Sequence, residues 1–291
     1  MSAQCLWDVG TLLGEGPLWS PQARRLYFVD IKAPAVHALD VMSGEKFSWA
    51  MPVDIGWLIP RLNGAGFLAG FRDGFARLQL EPTVVIDYLG NPMAGQPGCR
   101  LNDAKADAQG NVWAGSMHDT EPQQAVGQLF RISLDGQWQV MDSDYHICNG
   151  PALSPDGKTL YHTDSLLGRV YAYERLPDGQ LGPRRLWRQF QADEGSPDGM
   201  TTDVEGCLWI AHWRGAGISR FSPQGERLKH IPLPVSQVTS CTFGGANMDR
   251  LFVTSARIGL SDAQLQQEPL AGGLFEIDPG TRGLPAACYG G

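Results

Sequence analysis

One short apolar pattern returns six times along the chain: LYFVD at 26, GFLAG at 66, VWAGS at 112, LYHTD at 160, LWIAH at 208 and LFVTS at 251. The steps between copies are 40, 46, 48, 48 and 43 residues. A second pattern follows each copy: VHALD at 36, FARLQ at 75, LFRIS at 129, VYAYE at 170, ISRFS at 218 and LFEID at 274. The turn clusters PQAR, NGAG, DAQGN, SPDGK, DVEGC and GGANMDR precede the first copies. Glycine and asparagine in such clusters accept the positive φ that tight hairpins require. Several short strands repeating about every 45 residues are the mark of a propeller blade.

Each unit reads as strand, hairpin, strand, connection, strand and then an outer strand. The outer candidates are KFSWAMP at 46, TVVIDYL at 83, QWQVMDS at 137, RRLWRQF at 184 and RLKHIPL at 227. The expected fold is therefore all-β: a six-bladed β-propeller with four antiparallel strands per blade, running as one domain over 1–291. The sixth unit ends only in PAACYGG. The N-terminal QCLWDVG could supply its outer strand, closing the ring so that no sheet edge stays open. A pair of β-sandwiches is the competing arrangement, and six in-register repeats count against it. The one weak helical candidate lies at 261 to 268.

Composition supports this reading. Hydrophobic residues make up 43% and charged residues 19%, enough apolar material for a sizeable core. The 36 glycines and 20 prolines suit a chain that turns every few residues. A net charge of -8 argues against a nucleic-acid partner, which would need a basic face. The six cysteines show neither a CxxC pair nor zinc spacing. The start MSAQCLWDVG lacks a secretory pattern, and no apolar run approaches the roughly 20 residues needed to span a bilayer. A soluble, reduced, cytoplasmic protein follows, a monomer or small homo-oligomer with its cysteines as small core hydrophobes and no membrane partner.

The innermost strand of each blade lines the central channel. Here it starts about ten residues before each LYFVD-type copy. Aligning the copies places Glu15, Ile55–Gly56, Asn102, Asn149, Asp198 and Ser240 at one height, so GEGP, LNDA, CNGP, PDGM and TSCT begin at one mouth. Burying Glu15 and Asp198 together without a cation would be costly. A divalent metal such as Ca²⁺, Mg²⁺ or Mn²⁺ removes that cost, and three protein ligands leave positions open for water and substrate. Taken singly, each of these residues is as readily a cap for backbone amides. Arg100 reaches the same mouth and could hold a carbonyl or hydroxyl of a polar substrate.

The second strands end at Asp30, Gly70, Ser116, Asp164, His212 and Ser255, a set expected to form a hydrated rim or to support a metal from behind. His212, without a paired histidine, reads as structural. Two connections are long, MHDTEPQQAVG from 117 and RIGLSDAQLQQEPLAGG from 257. Both leave the mouth and read as specificity loops or lids, in which His118 and Asp119 could meet substrate. No GxSxG, phosphate loop or GxGxxG before a helix is present.

These residues together resemble the SMP-30/gluconolactonase/regucalcin family. The likeness runs through LGEGPLW at 13, RLNDAKADAQGNVWAGSM at 100, NGPALSPDGKTLYHTDS at 149, PDGMTTDVEGCLW at 197, TSCTFGG at 239 and PLAGGLFEI at 269. It is most similar to bacterial aldonolactonases acting on gluconolactone or pentonolactones. The resemblance implies one divalent metal ion (Ca, Zn, Mn, Mg or Fe) at Glu15, Asn149 and Asp198. It also implies substrate contacts at Arg100 and Asn102, and hydrolysis of a sugar lactone with Asp198 as candidate general base. One departure stands out. Regucalcin-like members carry two glutamates after the GTM segment, one of which contacts substrate, whereas GSMHDTE places Asp119 and Thr120 there. Its MHD is more like bacterial pentonolactonases. A metal-dependent esterase or phosphotriesterase on the same scaffold, and a non-enzymatic metal-binding propeller, are the rival readings.

Overall fold

The computed structural model describes residues 3–64 and 66–291; Met1, Ser2 and Ala65, the last within NGAG, lie outside the described residues. Six four-stranded antiparallel sheets form a ring. Blade one contains β2 (Gly14–Ser20), β3 (Arg25–Asp30), β4 (Ala35–Asp40) and β5 (Lys46–Ala50). Blade two contains β6 (Ile55–Pro60), β7 (Phe67–Phe71), β8 (Gly74–Gln79) and β9 (Val85–Gly90). Blade three contains β10 (Cys99–Ala106), β11 (Val112–His118), β12 (Gly127–Ile132) and β13 (Trp138–Tyr145). Blade four contains β14 (Cys148–Leu153), β15 (Thr159–Asp164), β16 (Arg169–Glu174) and β17 (Arg185–Gln189). Blade five contains β18 (Ser196–Thr202), β19 (Leu208–Trp213), β20 (Gly217–Phe221) and β21 (Arg227–Pro232). Blade six contains β22 (Val238–Gly244), β23 (Arg250–Ser255), β24 (Leu274–Ile277) and, from the other end of the chain, β1 (Gln4–Trp7).

The closure expected from QCLWDVG is present. Strand β1 pairs antiparallel with β24, Gln4 opposite Glu276 and Cys5 opposite Phe275. Trp7 then meets Phe28 of blade one edge-on, with ring centroids 5.7 Å apart. The repeated turns fix the blades from the other face of the disc. In DAQGNVW, Asp107 accepts from the Trp113 indole at 3.0 Å and from Arg175 of the next blade at 2.6 Å. In DVEGCLW, Asp203 binds Trp209 at 3.0 Å and Arg220 at 2.7 Å. One carboxylate thus holds its own turn, a buried tryptophan and an arginine, which satisfies groups that would be costly to bury alone.

Apolar side chains of the middle strands interdigitate between neighbouring blades, with Trp57, Trp113 and Trp209 fully buried. Trp57 lies flat against Gly70, where a Cβ would sit 2.2 Å from the indole. The C-terminal tail crosses the face opposite the mouth, bridging Asp203 to Gly283 and Arg61 to Tyr289. Its residues Leu284 to Ala287 line a cavity of about 250 Å³ that reaches up to Asp103. The helical candidate at 261 to 268 is α1 (Asp262–Gln267), capped by Ser261, whose hydroxyl accepts from Gln264 N–H. All six cysteines are free thiols, four of them buried. No helix among the described residues is long and apolar enough to cross a membrane.

Candidate active site

Every inner strand departs from regular pairing near its start: between Glu15 and Leu18, Ile55 and Trp57, Leu101 and Ala104, Asn149 and Ala152, Pro197 and Met200, and Val238 and Ser240. A bulge breaks the strict alternation of side chains and re-aims them. In blades one and four the break falls at a glycine with positive φ, Gly16 at 53° and Gly150 at 69°. These conformations directly follow Glu15 and Asn149, and glycine adopts them without strain.

Glu15, Asn102, Asn149 and Asp198 are all buried at this end of the channel. A third carboxylate joins them that the repeat register did not select: Asp103, next to Asn102 in the bulge of β10. Few protein donors serve the three acids. Glu15 accepts from Gly16 N–H at 3.0 Å and Asp103 from Ala104 N–H at 2.7 Å. Oδ1 of Asp198 is buried with no hydrogen-bond partner among the described residues. Burial, then the charge of Asp103, pushes Glu15 up to about 8. Burial pushes Asp103 up to about 6. Asp198 is raised by burial, then by Glu15 and Asp103.

Asn149 turns its amide so that Nδ2 donates to Ser165 Oγ at 2.9 Å, leaving Oδ1 toward the channel, where it accepts from Asn102 Nδ2 at 2.9 Å. Arg100 Nη1 donates to Asn102 Oδ1 at 2.5 Å and to Leu101 O at 3.2 Å, and Nε donates to Asp119 at 2.7 Å. Its Nη2 makes no hydrogen bond among the described residues. Two carboxylates, Glu15 and Asp198, the latter with an orphaned oxygen, and the Asn149 amide oxygen form a hard-donor set of the kind that holds a divalent cation. A cation would offset the burial and the mutual repulsion that favour the acid forms of Glu15 and Asp198. The residues present therefore fit a metal.

The long loop from 117 is placed differently from a free substrate contact. Asp119 accepts from Lys32 at 2.6 Å as well as from Arg100, and pairs with Arg72. Burial opposes its ionisation, yet Lys32 and Arg100 hold it well below the usual carboxylate range. His118 lines a shallow pocket with Gln96, Pro97 and Gln124, and its Nδ1 accepts from Glu121 N–H at 3.0 Å. The ends of the second strands serve the loops. Asp30 accepts from the amides of Leu12, Leu13, Lys32 and Ala33, Asp164 binds His146, and Ser255 donates to Gly273 O. His212 is buried against Phe190 and Phe221, its Nδ1 on Glu194 O, away from the carboxylates.

Residues 13–257 match the family described as SMP-30/Gluconolactonase/LRE-like region. The chain belongs to the SMP-30/gluconolactonase/LRE-like family. Among family relatives, a 6-deoxy-6-sulfogluconolactonase of Pseudomonas putida is 34% identical over 99% of this chain and 98% of its own. Regucalcin of Bos taurus is 33% identical over 99% and 98%. A calcium-binding regucalcin from Agrobacterium tumefaciens superposes with a TM-score of 0.94 at 26% identity, covering 99% of this chain and 97% of that one.

Proposed function

We propose that this chain is a divalent-metal-dependent lactonase that opens sugar-acid lactones, such as gluconolactone or pentonolactones, to their aldonic acids. The observation that carries the reading is the convergence of Glu15, Asn149 and Asp198 at one channel mouth, with Asp198 Oδ1 buried and unpartnered among the described residues. The relative named for 6-deoxy-6-sulfogluconolactone supports the substrate class, and the calcium-binding relative supports the metal. Glu15, Asn149 and Asp198 would hold the ion. When bound, the ion supplies Lewis acidity toward the lactone carbonyl.

The chain's own groups divide the remaining work. Asp198 accepts the proton of the attacking water at its carboxylate oxygen and returns it to the ring oxygen as the acyl C–O bond breaks. Arg100, through Nη2, holds the carbonyl or a sugar hydroxyl, and Asn102 completes that wall. The site lies at the end of a channel whose far end is covered by the tail, so substrate enters from the mouth.

The test is hydrolysis of glucono-, galactono-, xylono-, arabinono- and 6-deoxy-6-sulfogluconolactone by metal-stripped protein, with single metals added back and spontaneous opening subtracted. Metal-dependent turnover of at least one lactone is expected. Asp198→Ala should abolish it; wild-type rates in that variant would overturn the assignment.

A further inference from the structure

Asp119 occupies the loop position where the sequence places a substrate contact, but its carboxylate is committed to the protein. Its side chain is only 4% exposed, and three cations from three blades surround it: Lys32, Arg72 and Arg100. Lys32 and Arg72 are further anchored on Asp54, at 2.9 and 2.7 Å. From Asp119 an unbroken series of side-chain hydrogen bonds runs around the mouth. Asp119 accepts from Arg100 Nε at 2.7 Å, Arg100 Nη1 donates to Asn102 Oδ1 at 2.5 Å, and Asn102 Nδ2 donates to Asn149 Oδ1 at 2.9 Å. Asn149 Nδ2 donates to Ser165 Oγ at 2.9 Å, and Ser165 donates to Pro197 O at 2.6 Å, one residue before Asp198.

The series has a direction, set by Arg100 on the oxygen end of Asn102 and supported by the Cys148 carbonyl, which accepts from Asn102 Nδ2 at 2.6 Å. An asparagine side chain has an acceptor end and a donor end of nearly the same shape. Arginine has donors only. A guanidinium fixed beside Asn102 therefore forces its Oδ1 toward Arg100 and its Nδ2 toward Asn149. Asn149 must then present its oxygen to the channel. Were Asn102 to turn over, two amide oxygens would face each other, and Asn149 would be driven to show its NH₂ group, which cannot bind a cation.

We propose that Asp119 is a positioning residue: it fixes the Arg100 guanidinium, which orients Asn102 and through it the Asn149 oxygen toward the metal position, and it does not itself touch substrate. The kinetic part of this inference rests on the lactonase reading, whereas the binding part does not. Residues that orient metal ligands from behind typically change metal affinity about 10- to 100-fold when altered.

The test is titration of metal-stripped wild type, Asp119→Asn, Asp119→Glu and Arg100→Lys with Mn²⁺ alone, followed by calorimetry, with the lactone panel measured in parallel. Asp119→Asn should weaken Mn²⁺ binding about 10- to 100-fold and lower kcat, and Asp119→Glu should recover part of both. Arg100→Lys keeps the positive charge but loses the fork that spans Asp119 and Asn102, so it should weaken Mn²⁺ similarly. Circular dichroism and thermal melts check that each variant is folded, and Arg100→Lys stands in should Asp119→Asn fail to fold. Unchanged Mn²⁺ affinity in folded Asp119→Asn or in folded Arg100→Lys would overturn the inference, and a KM raised alone in Asp119→Asn would mark Asp119 itself as a substrate contact. Wild-type protein that binds no Mn²⁺ would overturn it as well. Mn²⁺ binding that weakens as expected in a protein hydrolysing no lactone would leave the positioning role standing and refute the lactonase reading.

Discussion

Stripping divalent cations leaves Glu15, Asp103 and Asp198 sharing one buried channel end, and pH reads the cost of that arrangement. Burial and the charge of Asp103 push Glu15 up to about 8 in the folded chain, against an ordinary 4.5. Between those values the folded chain keeps a proton that the unfolded chain has released, so raising the pH favours unfolding. The cost is absent below 4.5 and complete above about 8. At about 1.4 kcal/mol per pH unit, that gap amounts to about 5 kcal/mol for Glu15. Asp103, pushed up to about 6 by burial against an ordinary 3.8, would add about 3 kcal/mol if it titrated alone. The acids share their protons, so a combined loss on the order of 5 kcal/mol is the working figure. In a chain of this length that lowers Tm by on the order of 10 °C.

His162 contributes in the opposite direction at lower pH. Burial holds it down at about 3, against an ordinary 6.5, so its part of the stability is full above 6.5 and lost as the pH falls toward about 3. The window from 6.5 to about 8 therefore isolates the carboxyl cluster from this histidine. The assay is a set of thermal melts on chelator-treated protein across that window, repeated with saturating Mn²⁺ or Ca²⁺. Over that window the Glu15 share is about 2 kcal/mol, so Tm should fall by roughly 4 °C or more with rising pH in the stripped protein. The added ion should flatten that slope, because a cation replaces the protons. Glu15→Gln should remove the Glu15 share of the fall and leave the share of Asp198, whose acid form burial also favours. A stripped protein whose Tm holds or rises through the window, or a Glu15→Gln variant that keeps the whole fall, would show that the buried carboxyls carry no such cost.

Two further substitutions probe the packing behind the site. Gly70→Ala would place its Cβ 2.2 Å from the Trp57 ring and should cost about 1–3 kcal/mol, read as a lower urea midpoint at unchanged slope. His162 is fully buried with neither ring nitrogen hydrogen-bonded among the described residues, so His162→Leu should be neutral or raise stability by about 1 kcal/mol and blunt the acid sensitivity below 6.5. A Tm several degrees below wild type would contradict it.

Much of the architecture is legible in the sequence because a blade repeats its turn chemistry along with its apolar pattern. DAQGNVW and DVEGCLW are alike because each needs an aspartate six residues before a buried tryptophan. The closing strand QCLWDVG is legible by subtraction, since five units carry an outer strand and the sixth does not. Glu15, Asn102, Asn149 and Asp198 share a height because hairpins of nearly constant length set it. Asp103 is missed for a physical reason: in a regular strand it would point away from Asn102, and the bulge that brings both to the channel has no marker in the residue types. The setting of Asp119 is hidden differently. Its partners Lys32 and Arg72 come from blades one and two, and only the packing of the blades side by side brings them together.

The strand that closes the ring also sets an order of events. Strand β1 leaves the ribosome ahead of the other strands of the ring, yet its partner β24 follows some 270 residues later. At 5–20 residues per second that is a wait of roughly 15–55 s. Meanwhile Gln4–Trp7 has no edge to join, and each finished blade leans on a neighbour still to be made. A nascent chain stopped short of β24 leaves β1 without its partner and the ring open, an exposed state that chaperones and proteases can detect. In this fold, the last strand to be synthesised releases the first from waiting, and a truncated product remains recognisable as unfinished.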